Sequence, residues 1–238
     1  MPASKPKTPA RWKLEEAVAA LEKIYGRPQK ARITDPFQLV VWENAGYLID
    51  DTRRTEVFRS LRERVGLTPS AILNAPDEVL IDAIREGGMR PPDRAAKLRR
   101  CAEIAEEIGL GLLRKLVRSD PAASRKLLKR FPGIGDPGAD KILLCNGSLV
   151  TLAPDANVLR VLVRIGFGKR EKDYSRTYRS ASQATSAELP ANFAWLVRAR
   201  NLLRRHGQEI CRRNGPRCEA CPLSKRCTAF RTKSFAFF

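Results

Sequence analysis

The chain predicts an all-α fold, and three observations carry that prediction. Apolar residues recur at helical spacing through almost all of its 238 positions. The breaks between those runs hold Gly, Pro and capping residues. Strand-like alternation is confined to one short scrap at 148–152. No internal repeat and no long linker interrupts the pattern.

Taken in order, residues 1–9 are rich in Pro and Lys and read as a disordered basic tail. Leu14, Val18, Leu21 and Tyr25 then mark one helical face, closed by Gly26-Arg27-Pro28. The next helix opens cleanly, with Asp35 as cap, Pro36 in the first turn and Gln38 three residues after the cap. Phe37, Val40, Val41, Asn44 and Leu48 cover its apolar face, and Glu43, Tyr47 and Asp50 run along its flank at i, i+4, i+7. Val57, Phe58, Leu61 and Val65 continue the helical reading as far as Gly66. Short helices are expected at 69–74 and 77–86, and Gly87-Gly88 breaks the chain before a helix over 93–108. The same periodicity predicts helices at 112–117, 121–130, 137–146, 156–165, 174–186 and 191–205.

Charge bounds the function. Lys and Arg total 45 against 26 Asp and Glu, a net charge of +19. An excess of that size on a chain with 43% hydrophobic residues points to a folded protein with a polyanionic partner, and nucleic acid is the usual one. No run of about 18 apolar residues exists, so no membrane span is expected. The start Met1-Pro2-Ala3-Ser4-Lys5 lacks the apolar segment of a secretory signal. An intracellular, reducing setting (cytoplasm or nucleoid) is the expectation, with the six cysteines serving as metal ligands or free thiols rather than disulfides.

Two motifs carry chemistry. The first lies within 119–160, where short helices flank the hairpin Pro132-Gly133-Ile134-Gly135 and a further helix opens at Asp155. A Gly-x-Gly turn entering a helix lets backbone amides approach an anion, and the helix N-terminus adds positive partial charge. The amides of Gly133, Ile134 and Gly135 are therefore candidate phosphate ligands. The second motif is Cys211, Cys218, Cys221 and Cys227, spaced C-x6-C-x2-C-x5-C within 17 residues. Four soft thiolates so close together bind zinc or an iron–sulfur cluster. Zinc sites usually pair their cysteines as two close knuckles, and only one such pair exists here, so [4Fe–4S] is favoured. Cys101 and Cys145 fall within apolar helical patterns and read as core.

The cysteine spacing, with His206-Gly207 just before it and F-P-G-I-G and P-D-A-N-V-L-R-V earlier, resembles the endonuclease III group of helix-hairpin-helix DNA glycosylases. The resemblance runs from about Asp35 to Cys227. It implies two helical domains: a six-helix barrel over 31–137, and a cluster domain of 10–30 plus 138–238 built from both chain ends. The helix-hairpin-helix would span about 121–146, and duplex DNA carrying a damaged or mismatched base would lie in the cleft between the domains, bound by a monomer. It also implies that Arg212, Arg213 and Arg217 on the first cluster loop, and Met89 and Arg90 after the glycine pair, approach DNA.

The resemblance also narrows the reaction. Pro137 falls where lyase-type members carry their catalytic lysine, and proline has no side-chain amine for a Schiff base. Lys141, one turn further on, is expected to reach a phosphate. A monofunctional glycosylase is the primary expectation, with Asp155 stabilising an oxocarbenium-like sugar and orienting water. Glu43 falls where mismatch glycosylases carry a catalytic glutamate; a protonated, desolvated Glu43 would donate to the leaving base, with Asp50 as the alternative. Tyr47 and Leu48 stand where relatives fill the gap left by the flipped nucleotide, although Leu48 also suits the core pattern. The alternatives are a bifunctional glycosylase/lyase using Lys141 and a non-catalytic protein that binds damaged DNA.

Overall fold

The computed structural model describes residues 11–28 and 33–235, and all of its regular structure there is helical. The expected basic tail at 1–9 lies outside the described residues. In chain order the helices are α1 (Leu14–Tyr25), α2 (Pro36–Ala45), α3 (Asp51–Arg64), α4 (Pro69–Asn74), α5 (Asp77–Ala83), α6 (Pro91–Ile108), α7 (Leu110–Ser119), α8 (Pro121–Leu128), α9 (Asp136–Cys145), α10 (Ala156–Arg164), α11 (Tyr174–Ser186), α12 (Phe193–Glu209) and α13 (Thr228–Thr232). Short 3₁₀ turns follow α5 at Arg85–Gly87 and occur in the cysteine-rich end at Cys218–Ala220 and Ser224–Arg226.

Most of these helices start where the sequence supplies a cap. Asp35, Asp120, Asp155 and Asp173 each accept a bond from a backbone N–H of the first turn of α2, α8, α10 and α11. Asn192 does the same for α12, which therefore begins at Phe193 and runs on to Glu209 rather than spanning 191–205. The helix expected from 93 starts at Pro91, since a Pro-Pro pair suits a first turn. The scrap at 148–152 forms no strand; Ser148 instead turns back, its Oγ donating to Leu143 O, and Thr151 Oγ1 accepts from Ala153 N.

One boundary changes the site. The apolar stripe that runs from Phe37 through Leu48 predicts a long α2, yet α2 stops at Ala45 and Gly46 turns extended. Asp50 leaves the flank of α2 altogether and caps α3, accepting from Arg53 N at 2.9 Å. Leu48 leaves the core with it, in a left-handed conformation and 79% exposed.

The chain divides into two compact units, one of Ala31–Leu149 and one of Met1–Lys30 with Val150–Phe238. In the first, α2 to α9 close over a core of Phe37, Val40, Phe58, Leu61, Ile72, Leu98, Phe131 and Leu143, among others. The sequence reading drew the boundary at 137/138, but α9 packs with the first unit. Ala139, Ile142 and Leu143 of α9 enter its core, and Arg125 of α8 reaches Asp140 of α9 at 2.8 Å. In the second unit α12 lies against α1 and α10, burying Leu14, Leu21, Val158, Leu162, Leu196 and Leu203.

Candidate active site and nucleic-acid interface

The hairpin between α8 and α9 is anchored by its apolar residues. Phe131 and Ile134 are buried, and Lys129 meets Asp136 at 2.9 Å across the turn. Gly133 has φ 78°, and a Cβ there would stand 2.6 Å from Asn44 Oδ1 on α2, so any other residue would strain the backbone and displace Asn44. The Ile134 amide already donates to Phe131 O at 3.1 Å. Among the described residues the Gly133 and Gly135 amides have no acceptor within the chain. Of the three expected phosphate donors, these two are presented and the third is committed internally.

Glu43 and Lys141, expected in separate roles, meet. Lys141 of α9 donates to the Glu43 carboxylate of α2 in a half-buried ion pair, and its ammonium stands 5.9 Å from the Trp42 ring centre. Glu43 thus faces the Lys141 ammonium. Pro137 occupies the first turn of α9, where its missing N–H costs nothing.

Asp155 is held from four directions. Its Oδ1 accepts from Asn157 N and Val158 N at 3.0 and 3.1 Å, as an N-cap does. Its Oδ2 accepts from Arg200 Nη2 at 3.0 Å and Arg204 Nε at 2.7 Å, both on α12. Arg200 also donates to Ala153 O, and Ala153 has φ 42°, a costly conformation for a non-glycine residue. Tyr174 Oη donates to Pro154 O in the same turn, and burial raises the Tyr174 phenol well above its usual range. A strained turn, a helix terminus and two arginines together fix one carboxylate. Its four bonds hold the carboxylate in one place.

Two loops of the first unit present apolar and basic tips. Tyr47 and Leu48 on one, and Met89 on the other, are more than half exposed, and Arg90 is exposed beside Met89. The Tyr47 N–H donates to Gly87 O at 2.7 Å, which places the loops side by side. In the second unit Arg213 and Arg217 are exposed and Arg212 is half-buried.

Cys211, Cys218, Cys221 and Cys227 line one cavity with Val161, Ile165, Ile210 and Phe230. Among the described residues no group of three His, Cys, Asp or Glu side chains stands close enough to hold a single ion. Arg164 organises the loop that carries them, donating to Cys211 Sγ at 3.4 Å, Arg212 O at 2.7 Å and Arg213 O at 3.2 Å. It also donates to Phe235 O, the described part of the Phe-rich tail.

No protein-family model matches the chain. An endonuclease III of Thermotoga maritima is 28% identical over 220 residues, covering 92% of this chain and 94% of the relative. A thymine/uracil-DNA glycosylase of Pyrobaculum aerophilum is 27% identical over 209 residues, covering 84% and 82%. Among solved structures, an endonuclease III trapped as a covalent intermediate with DNA superposes with a TM-score of 0.70 at 20% identity, over 92% of this chain and 96% of that one. The chain is thus similar in sequence to endonucleases III and to a thymine/uracil-DNA glycosylase along most of its length. A thermostable thymine-DNA glycosylase gives the same fold, with a TM-score of 0.69 at 18% identity.

Several residues that build this site escape the sequence reading. Arg200 and Arg204 sit at i, i+4 on α12, so one face of that helix carries both partners of Asp155. That spacing was visible, but nothing local links it to a carboxylate 45 residues away. Arg160 is likewise hidden: its guanidinium donates to Asn157 Oδ1, Gly207 O and Cys211 O, tying α10 to the first cysteine.

Proposed function

We propose that this protein is a base-excision DNA glycosylase that hydrolyses the N-glycosidic bond of a damaged or mismatched base, without the strand cleavage of a lyase. The observation that carries the hydrolytic reading is the head of α9, where Pro137 offers no amine and the nearest lysine on the helix, Lys141, is engaged by Glu43. Asp155 supplies the fixed negative charge that favours an oxocarbenium-like sugar and orients the attacking water. Glu43 is the general acid that eases departure of the base, relaying to it a proton from the Lys141 ammonium against it. The Gly133 and Gly135 amides grip a backbone phosphate, and Arg90, Arg212, Arg213 and Arg217 add charge along the duplex. Tyr47, Leu48 and Met89 hold the gap left by an extruded nucleotide.

In this reading Cys211, Cys218, Cys221 and Cys227 hold a [4Fe–4S] cluster. Support comes from four thiols that line one cavity. Bound there, the cluster would fasten the basic loop at 212–217 to α10.

The test is a panel of duplexes each carrying one altered base, incubated with protein and then treated with hot alkali. Abasic sites at one or more lesions, with strands intact before alkali, are expected. Iron and labile sulfide analysis of the purified protein checks the cluster. A bifunctional reading is favoured by one observation, the carboxylate beside Lys141 that could take its proton. Borohydride trapping on abasic DNA decides: a covalent adduct that Lys141→Ala abolishes would replace hydrolysis with lyase chemistry. A protein that releases no base from any lesion yet binds damaged duplexes would be the non-catalytic binder.

A further inference from the structure

We infer that Arg94 is a positioning residue for base extrusion: it ties the loop after α2 to the loop before α6, and so sets the spacing of the Tyr47-Leu48 and Met89-Arg90 tips. The inference rests on the glycosylase reading, because it concerns how those tips enter DNA.

Arg94 lies in the second turn of α6 and is only 4% exposed. Among the described residues no carboxylate pairs with it. Instead it donates to five backbone carbonyls: Ala45, Ile84 and Gly88 at 2.8 Å, Met89 at 3.1 Å and Arg85 at 3.3 Å. Ala45 ends α2 on one side, and the other four surround the 3₁₀ turn on the other. A buried cation without a counter-ion is costly, and an apolar side chain would pack on α6 without that cost. What the guanidinium supplies is shape, since its planar fork can satisfy carbonyls of two loops at once.

The Gly87-Gly88 pair is built around the same contact. A Cβ on Gly87 would lie 2.1 Å from Arg94 Nη1 and 2.3 Å from Ala45 O. A Cβ on Gly88, which has φ 107°, would lie 2.3 Å from Tyr47 O. Each loop then ends in a strained, exposed residue: Leu48 has φ 56° and Arg90 φ 53°. Left-handed backbone at non-glycine residues persists only where surrounding structure imposes it, and here the strain sits on the two tips that Arg94 joins. An apolar wedge spreads a base step only when it is rigid, so a staple behind the tips controls extrusion without touching the nucleic acid.

The test uses the full-length protein and a duplex with 2-aminopurine beside a stable abasic analogue, read at saturating protein. The wild type should raise the fluorescence by unstacking the probe. Arg94→Gln, shown folded by circular dichroism, should cut that rise by about fivefold while affinity for undamaged duplex changes by less than about twofold, since the phosphate contacts of the hairpin and of Arg212, Arg213 and Arg217 are untouched. Arg94→Lys, which keeps the charge but reaches fewer carbonyls, should fall between. Gly87→Ala should reproduce the loss with the guanidinium intact, and it carries the test if Arg94→Gln does not fold. A wild-type rise matched by folded Arg94→Gln, or by Gly87→Ala, would overturn the inference alone. Absence of any rise with the wild-type protein would overturn the glycosylase reading and the inference with it.

Discussion

Asp155 concentrates more structure than a helix cap needs. Two amides of α10 would satisfy a cap, yet Arg200 and Arg204 also point at the carboxylate and Ala153 is strained to deliver it. Asp155→Asn keeps the cap acceptor and the volume but removes the charge. Excision is expected to slow by about 10²–10³-fold, the scale of losing one electrostatic contact to a charged transition state. The variant should also melt lower, because nearly buried Arg200 loses its anion. Single-turnover excision assays and thermal melts check the two effects. Glu43 and Lys141 make a different kind of pair, joining two helices of one unit. Lys141→Met leaves a half-buried carboxylate without its ammonium and should cost about 1–3 kcal/mol in urea unfolding. Adding Glu43→Gln should recover part of that loss, so that the double-mutant cycle gives a coupling of about 0.5–3 kcal/mol. Cys101 is the inert counterpart: wholly buried, its thiol is pushed up to about 12.

At the scale of elements, the hairpin tolerates little change. Gly133→Ala forces a left-handed alanine and drives Cβ into Asn44, so about 2 kcal/mol or more of stability should be lost. Affinity for duplex DNA should fall with it, as the Gly133 amide shifts; urea unfolding and fluorescence anisotropy measure both. The hairpin, its flanking helices and the capped start of α10 were legible because their signals are local: Pro at a first turn, Gly between helices, Asp before a helix. The end of α2 was not. Leu48 continues the apolar spacing of Phe37, Val40 and Val41, and period alone cannot tell a core residue from a wedge. What ends the helix is tertiary: Arg94 takes Ala45 O, and Gly87 O takes the Tyr47 amide. The 137/138 boundary failed for a related reason, since the Arg125–Asp140 bridge and the burial of Ile142 are contacts that no stretch of sequence displays. The cysteine motif was legible as a set, whereas the arginines that hold its loop were visible only as charge.

For the whole molecule, net charge and usable charge are different quantities. The +19 excess includes arginines that are buried within the protein. Arg94, Arg160, Arg164 and Arg200 are buried against carbonyls, a thiol or Asp155. Lys141 is spent on Glu43, and Arg125 and Lys129 on Asp140 and Asp136. The predicted DNA-facing cations reduce to Arg90, Arg212, Arg213 and Arg217. Four phosphate contacts give a slope of about −3.6 in log Kobs against log salt, since each contributes about 0.9. A long basic face engaging eight phosphates would instead give about −7. Anisotropy titrations of a short duplex across a salt series separate the two. Removing Arg213 or Arg217 should flatten the slope by about 1 and weaken undamaged and damaged duplexes alike. Lys141→Met should leave the slope unchanged, because its charge already has a partner; a slope that drops by 1 in that variant would move Lys141 from the Glu43 pair to the phosphate backbone.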